Sequence, residues 1–288
     1  MKRAYFILAA AALVGAGACQ KGTDDTPPAT DKRIEINTSI ANHSGASGTT
    51  RTPQLNGNGS GNFADGDRIT LFVRSESGQT TATDYAVGVS KLYWKNIRLN
   101  PEDTKADFSA CYPEQEVADG KFTFNIETSP DKDLLLAQSR NITVESEEPV
   151  DLLFTHAMHR LVINYSTQSD IKIDEITTVC TAKSTCEVDL NTQTLDSSAS
   201  GKADFTASGR SAQFMIVPQK VSDIEVLVTV DQMSKEFALS ELVTDHEDLE
   251  NGKQLTVNIK VRDGKIVLEG SSIVQWGDQG TVEGDIIL

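Results

Sequence analysis

Few residues in this chain are of types that do chemistry, and their spacing decides what that chemistry can be. The four histidines include one close pair, His156 and His159, three apart, so that one helical turn would bring both rings to one face. A metal on that face would need two more ligands, and the neighbours Ala157, Met158 and Leu161 are apolar. Capping and packing of a turn is the use these residue types support. Asn56, Asn58 and Ser60, with Asp67 at the twelfth position, faintly echo a calcium loop. Such a loop needs carboxylates at its early positions, and neutral amides there read as a flexible linker. Asp245, Glu247, Asp248 and Glu250 form an acidic run, which by its type is a solvated loop. No Gly-x-Ser-x-Gly elbow, phosphate-binding loop or His-Glu-x-x-His helix occurs. The sequence therefore offers no catalytic residue, no metal set and no cofactor site.

Of the four cysteines, Cys19 has the clearest chemistry. Lys2 and Arg3 precede an apolar run over residues 5–14, and Gly15, Ala16, Gly17 and Ala18 lead directly into Cys19. The run is too short to span a bilayer, and the whole reads as a signal segment. Its end resembles the bacterial lipobox, in which the cysteine thiol receives a diacylglycerol, with Ala16 where leucine is usual. The other reading is a plain secretory signal with a chance cysteine. Polar and acidic residues 20–25 follow, similar to the surface-export signal of Bacteroidetes lipoproteins. Cys180 and Cys186 bracket a small polar loop. In an oxidising compartment they form either a local disulfide or two free thiols on neighbouring strands. Cys111 lies in an alternating stretch and reads as a small buried apolar side chain.

The elements that must position these residues are strands. Residues 32–40 alternate, with Ile34, Ile36, Thr38 and Ile40 on one face and Arg33, Glu35, Asn37 and Ser39 on the other. Residues 41–62 are mostly Gly, Ser, Asn and Thr, with Arg51 the one charged side chain. So long a polar stretch inside a domain is typically functional or cleaved. Residues 63–67 form a turn that feeds the next strand, and residues 121–127 alternate with Phe122, Phe124 and Ile126 inward. The acidic stretch 145–149, closed by Pro149, reads as a domain boundary. Residues 150–165 then form a strand, a short turn at 156–159 and a second strand. Short β-branched and aromatic runs recur to the end, and helix signals are nearly absent. The fold expected is all-β: a signal segment at 1–19, a tether at 20–31, and two tandem β-sandwich domains at 32–149 and 150–288.

A set of weak motifs in a fixed order points further. Phe154-Thr155-His156-Ala157 ends a strand, a short turn follows, and an apolar strand begins at Leu161. Phe63, Gly66, Asp67 and Ile69 make a Phe-x-x-Gly-Asp-x-Ile turn, and Tyr93-Trp94 an aromatic pair. Phe108, Ala110, Tyr112 and Pro113 make Phe-x-Ala-x-Tyr-Pro, and Asp133, Leu134, Leu135 and Ala137 make Asp-Leu-Leu-x-Ala. Phe214, Pro218 and Gln219 come next, then Gly252-Lys253 opening a strand, then Ile273 and Trp276. In this order, from about residue 63 to 276, the chain resembles the fimbrillins of Bacteroidales, the subunits of their surface pili.

The resemblance implies transthyretin-like sandwiches and export as a lipoprotein to the cell outer membrane. It also implies assembly into a fimbrium after a protease removes the first strand. A strand from the next subunit then fills the groove, a form of strand addition. Partners would be other pilin subunits, with a host or bacterial surface ligand for an adhesive member, and the lipid anchor would hold the precursor to the outer membrane. The pieces on this sequence are the strand at 32–40, Arg51 as the point of cleavage, and residues 281–288 as donor strand. In that donor Val282, Ile286 and Leu288 share one face, while Gly284 leaves one position unfilled. The alternative is a monomeric surface lipoprotein that binds glycan or a host protein. The formal charge of −16, with no basic patch bearing aromatics, disfavours nucleic acid.

Overall fold

Side-chain alternation along the chain turns into sheets that bury one face, or both. The computed structural model describes residues 32–41, 54–55, 61–129, 132–167, 176–230, 233–262, 265–275 and 286–287. Cys19, Arg51, Val282 and Leu288 lie outside these residues. Within them the chain is all-β, with sheets packed face to face. Helix is confined to the short turns Trp94–Asn96, Val221–Asp223 and Leu239–Leu242.

The first half is built on an eight-stranded sheet. Its order is Gln54–Leu55, Gly61–Asn62, Ile36–Ile40, Val150–His156, Leu135–Thr143, Lys105–Tyr112, Arg68–Ser75 and Thr80–Ala86. The central strands are buried on both faces, which is why Leu71, Phe72 and Val73 are consecutive apolar residues. One face carries Ile69, Leu71, Phe108, Leu135, Leu152 and Phe154, packed with Leu92, Trp94 and Ile97 into the first core. The opposite face carries Phe72, Cys111 and Leu136.

That opposite face joins the two halves. Lys121–Asn125 has the inward Phe122 and Phe124 that its alternation predicts, yet it pairs with Thr185–Asp189 of the second half. With Thr194–Asp196 they form a three-stranded sheet. Phe124, Cys186, Val188, Met158 and Val217 meet Phe72 and Leu136 there in one buried cluster. The acidic stretch at 145–149 is a surface turn rather than the end of the first half. Val150–His156 pairs parallel with Ile36–Ile40 and antiparallel with Leu135–Thr143, and Val150, Leu152 and Phe154 lie in the first core. The first sheet therefore runs seven residues past the expected boundary.

The chain changes sheets at Ala157–Met158, with strand on both sides in place of the expected helical turn. His159–Thr167 lies between Ser211–Ile216 and Lys253–Arg262. That five-stranded sheet also holds Lys265–Gln275 and Ile286–Ile287. It faces a four-stranded sheet of Lys202–Ser208, Ile176–Lys183, Glu225–Val230 and Met233–Ala238. Leu161, Ile163, Cys180, Phe214, Val226, Val228, Leu255 and Val257 form the core between them.

Candidate functional site

The first strand of each half runs parallel to a later strand of its sheet, and the two are held differently. His159–Thr167 is paired along both sides. Ile36–Ile40 is paired along its length only with Val150–His156. Among the described residues its other side is paired only where Ile40 lies opposite Gly61. The leading segment, residues 32–41, thus enters the first core held lengthwise by one strand among the described residues.

Its seat is built from three elements. Arg33–Ile34 pairs with Leu92–Tyr93, and the Trp94 N–H donates to the Lys32 carbonyl at 3.0 Å. The strand breaks at Glu35, whose carbonyl accepts from the Val150 N–H at 2.7 Å, and from Ile36 it follows Val150–His156. At the far end the Ala41 N–H donates to the Phe154 carbonyl at 2.8 Å. Burial follows the predicted alternation: Ile34 and Ile40 are 3% and 4% exposed, Ile36 and Thr38 half-buried, and Arg33, Glu35, Asn37 and Ser39 exposed. Phe63 lies edge-on to Phe154 with ring centroids 4.8 Å apart, and to Tyr112 at 5.4 Å. Polar ties at the rim are few. Asn37 Nδ2 donates to Asp151 Oδ1 at 2.9 Å, and Lys32 pairs with Glu147 at 3.3 Å. Exposed ties of this kind contribute little. Burial of Ile34 and Ile40, roughly 1.5–3 kcal/mol each, with the backbone bonds, holds the strand.

Next to the opposite edge strand of the same sheet, Thr80–Ala86, Arg68 joins two carboxylates. Arg68 pairs with Glu114 and, at 3.3 Å, with Asp84. The Arg68 guanidinium holds the Glu114 carboxyl below its ordinary range.

The other residues singled out by type are structural. Cys180 faces the second core and Cys186 the cluster between the halves, and both thiols are free. No disulfide joins them, because a strand end separates them and each side chain is committed to a different core. Cys111 is free and buried as expected. Burial pushes all three thiols up to about 12, which makes them poor nucleophiles. Ile286 lies in the two-residue strand Ile286–Ile287, paired with Lys265–Gln275 of its own chain. Asp245, Glu247, Asp248 and Glu250 are exposed. Among the described residues no three His, Cys, Asp or Glu side chains group closely enough to hold a metal ion.

His156 and His159 flank the change of sheets rather than capping a helical turn. His156 pairs through Nδ1 with Asp133, whose own Asp-Leu-Leu-x-Ala motif runs into the neighbouring strand. His159 is fully buried, and its Nδ1 lies 2.8 Å from the Glu250 carbonyl. A carbonyl can only accept, so Nδ1 carries the proton. Burial lowers the pKa of His159 from 6.5 to about 4. The unfolded chain then takes up a proton between those values that the folded chain refuses, and stability falls as pH drops from 6.5 toward 4. The expected loss is about 3 kcal/mol on this account alone. Urea melts across this range should show a steeper acid slope for the native chain than for His159→Asn, and equal slopes would contradict the assignment.

Sequence reasoning missed the Asn37–Asp151 tie, the ring of Phe63 against Phe154, and the pairing of residues 121–125 across the halves. Each depends on which distant strands become neighbours, and no local spacing carries that information.

A protein-family model described as fimbrillin-like matches residues 50–276. No curated protein matches the chain. Among solved structures, a candidate cell adhesion protein from Bacteroides uniformis is similar, with a TM-score of 0.59 and 15% identity over 86% of this chain and 99% of that one. One from Bacteroides ovatus gives a TM-score of 0.58 and 16% identity over 87% and 100%. A fimbrial assembly protein from Parabacteroides distasonis gives 0.52 and 10% over 84% and 99%. At these identities the structural likeness speaks to the fold.

Proposed function

The chain belongs to the fimbrillin-like family, and from that premise we propose that it is a structural or adhesive subunit of a cell-surface fimbrium with no enzymatic role. It is exported with the signal segment 1–19, acylated on Cys19 and held at the outer membrane through residues 20–31. Cleavage after Arg51 then separates everything up to residue 51 from the folded body. The leading strand leaves its seat, and a strand of another subunit, residues 281–288 with Val282, Ile286 and Leu288 inward, replaces it.

The observation that carries this reading is the seat of the leading strand, where Ile36–Ile40 pairs along its length with Val150–His156 and Ile34 and Ile40 are buried in the first core. Once the strand departs, the edge of Val150–His156 presents unpaired N–H and C=O groups beside the buried Val150, Leu152 and Phe154. Groups of this kind are costly to leave unmatched, so a replacement strand is favoured. Arg51 stands in a polar stretch, 41–62, of a composition that proteases reach. The family match begins at residue 50, so it leaves the leading strand out.

The test compares the mature chain with an Arg51→Ala variant, both treated with an arginine-specific protease. Native chain cut after Arg51 should give ladders on gels and filaments by electron microscopy, and the variant should stay monomeric. A native chain that stays monomeric after clean cleavage contradicts the mechanism and favours a monomeric surface lipoprotein that binds glycan or a host protein. A variant that polymerises equally well removes Arg51 from the mechanism.

A further inference from the structure

The strand that bears the seat runs almost without interruption into the middle of the second half. Only Ala157 and Met158 separate Val150–His156 from His159–Thr167. A force that passes between the halves along the backbone must pass through those two residues.

How each strand is held decides how such a force is borne. Two neighbouring strands pulled apart at one end lose their hydrogen bonds one at a time. Two parallel strands pulled from opposite ends load all the bonds between them together. The leading strand is parallel to Val150–His156, with Ile36 opposite Val150 and Ile40 opposite Phe154. A pull on its start, against a pull on the His156 end of its neighbour, is shear across those five residue pairs. His159–Thr167 meets the same condition. It is pulled from His159 and held by six pairs with Ser211–Ile216 and eight with Lys253–Arg262. Ser211 lies opposite Asn164, away from His159, so an anchor at that end opposes the pull from the far side.

The link between the two strands is clamped to both halves. The Ala157 N–H donates to the Leu134 carbonyl at 2.7 Å, and the Met158 carbonyl accepts from the Gly252 N–H at 3.0 Å. His159 Nδ1 donates to the Glu250 carbonyl at 2.8 Å. These bonds keep the link from swinging as a hinge when the strands on either side are loaded.

Resting on the structural-subunit reading, we infer that residues 150–167 are the line along which this protein bears tension, and that the seat is its weakest link. The seat holds by five pairs on one side of a strand, the second sheet by six and eight on both sides. Under load the leading strand leaves first, with the two halves still folded. The pairing of Lys121–Asn125 with Thr185–Asp189 lies off the line and fixes how the halves sit without bearing the pull.

Single-molecule pulling on the uncut chain carrying Cys19→Ser tests this. Handles are coupled to azide-bearing residues placed at exposed positions, and forces are compared at one loading rate, because forced unfolding reports rates. Arg33 and Arg210 are both exposed, and handles there load the line from its two ends. The first event should lengthen the chain by roughly 30 residues, about 100 Å at 3.3–3.6 Å per residue, as the stretch from Arg33 to Phe63 comes free. Ser39 and Leu153 are exposed partners near one end of both strands. Handles there should part the same strands one pair at a time, at a several-fold lower force. Handles at Leu153 and Arg210 bypass the seat and should hold to a higher force than those at Arg33 and Arg210. A disulfide between Thr123→Cys and Glu187→Cys, which are exposed partners across the halves, should leave that higher force unchanged.

Equal forces from the Arg33–Arg210 and Ser39–Leu153 handles overturn shear at the seat. A first event as long as a whole half overturns the seat as weakest link. A force between Leu153 and Arg210 that rises with the disulfide puts the load across the junction and overturns the line. The chain pulled is uncut, so a failure of strand exchange in the Arg51 test leaves these forces as they are, and the two readings fail separately.

Discussion

A chain ending at Pro149 should fail to fold its first half, although the polar stretch before it looks like a domain boundary. Val150, Leu152 and Phe154 are 1%, 1% and 0% exposed in the first core. Each buries about 1.5–3 kcal/mol of apolar stabilisation, so together they approach the whole net stability of a domain, about 5–15 kcal/mol. The same cut strips Ile36–Ile40 of its lengthwise partner and Lys121–Asn125 of its partner in the second half. Trp94 reports the outcome, since it is buried against Phe108 at 5.9 Å between ring centroids. In the 32–149 chain its emission should shift to that of a solvated indole. In the full chain carrying Trp276→Phe it should keep the emission of a buried one. Blue emission and a cooperative melt from the 32–149 chain would restore the boundary at 149.

The second large effect sits at the change of sheets. Gly252 opens the strand Lys253–Arg262 at φ +65°, and its N–H donates to the Met158 carbonyl at 3.0 Å. A methyl group there would lie 2.7 Å from the His156 carbonyl oxygen, a backbone atom held by the strand on its other side. Gly252→Ala therefore adds a steric conflict to the left-handed backbone cost of about 1–2 kcal/mol, and should lower stability by roughly 3 kcal/mol or more. Gly252→Val should yield no folded protein. Gly78 is the control: it too has a left-handed φ, +88°, but nothing lies within 4 Å of its added methyl. Gly78→Ala should show the backbone cost alone in urea denaturation. Equal losses at the two sites would mean that the close approach to His156 does not matter.

How much of this was legible beforehand differs from element to element. The alternation of Ile34, Ile36, Thr38 and Ile40 predicted both the strand and its inward face, because a half-buried strand records its environment every second residue. Phe122 and Phe124 were likewise rightly turned inward, but toward a partner some sixty residues on, which no local pattern encodes. The acidic stretch at 145–149 misled because a surface turn inside a sheet and a linker between domains draw on the same residues. His156 and His159 are three apart as on a helix, yet the change of sheets at Ala157–Met158 separates them and sends each to a different partner. Cys180 and Cys186 are close in sequence, but they serve cores on different sides. The seat itself was legible in part: its occupant could be read from the sequence, but the parallel neighbour, the half-buried middle and the exposed Leu153 required the fold.

The most direct measurement of the central claim is hydrogen exchange at the backbone amides of residues 150–156, the strand that bears the seat. In the uncut precursor the amides of residues 150–154 that face the leading strand should be protected by it, while Thr155 and His156 are paired with Leu136 and Leu135. After cleavage at Arg51 and removal of the leading strand, the amides facing the seat should exchange faster by several orders of magnitude. In assembled filaments their protection should return, although residues 32–40 are no longer present by mass spectrometry. Filaments that retain residues 32–40, or in which the seat amides stay open, would contradict strand exchange as the means of assembly.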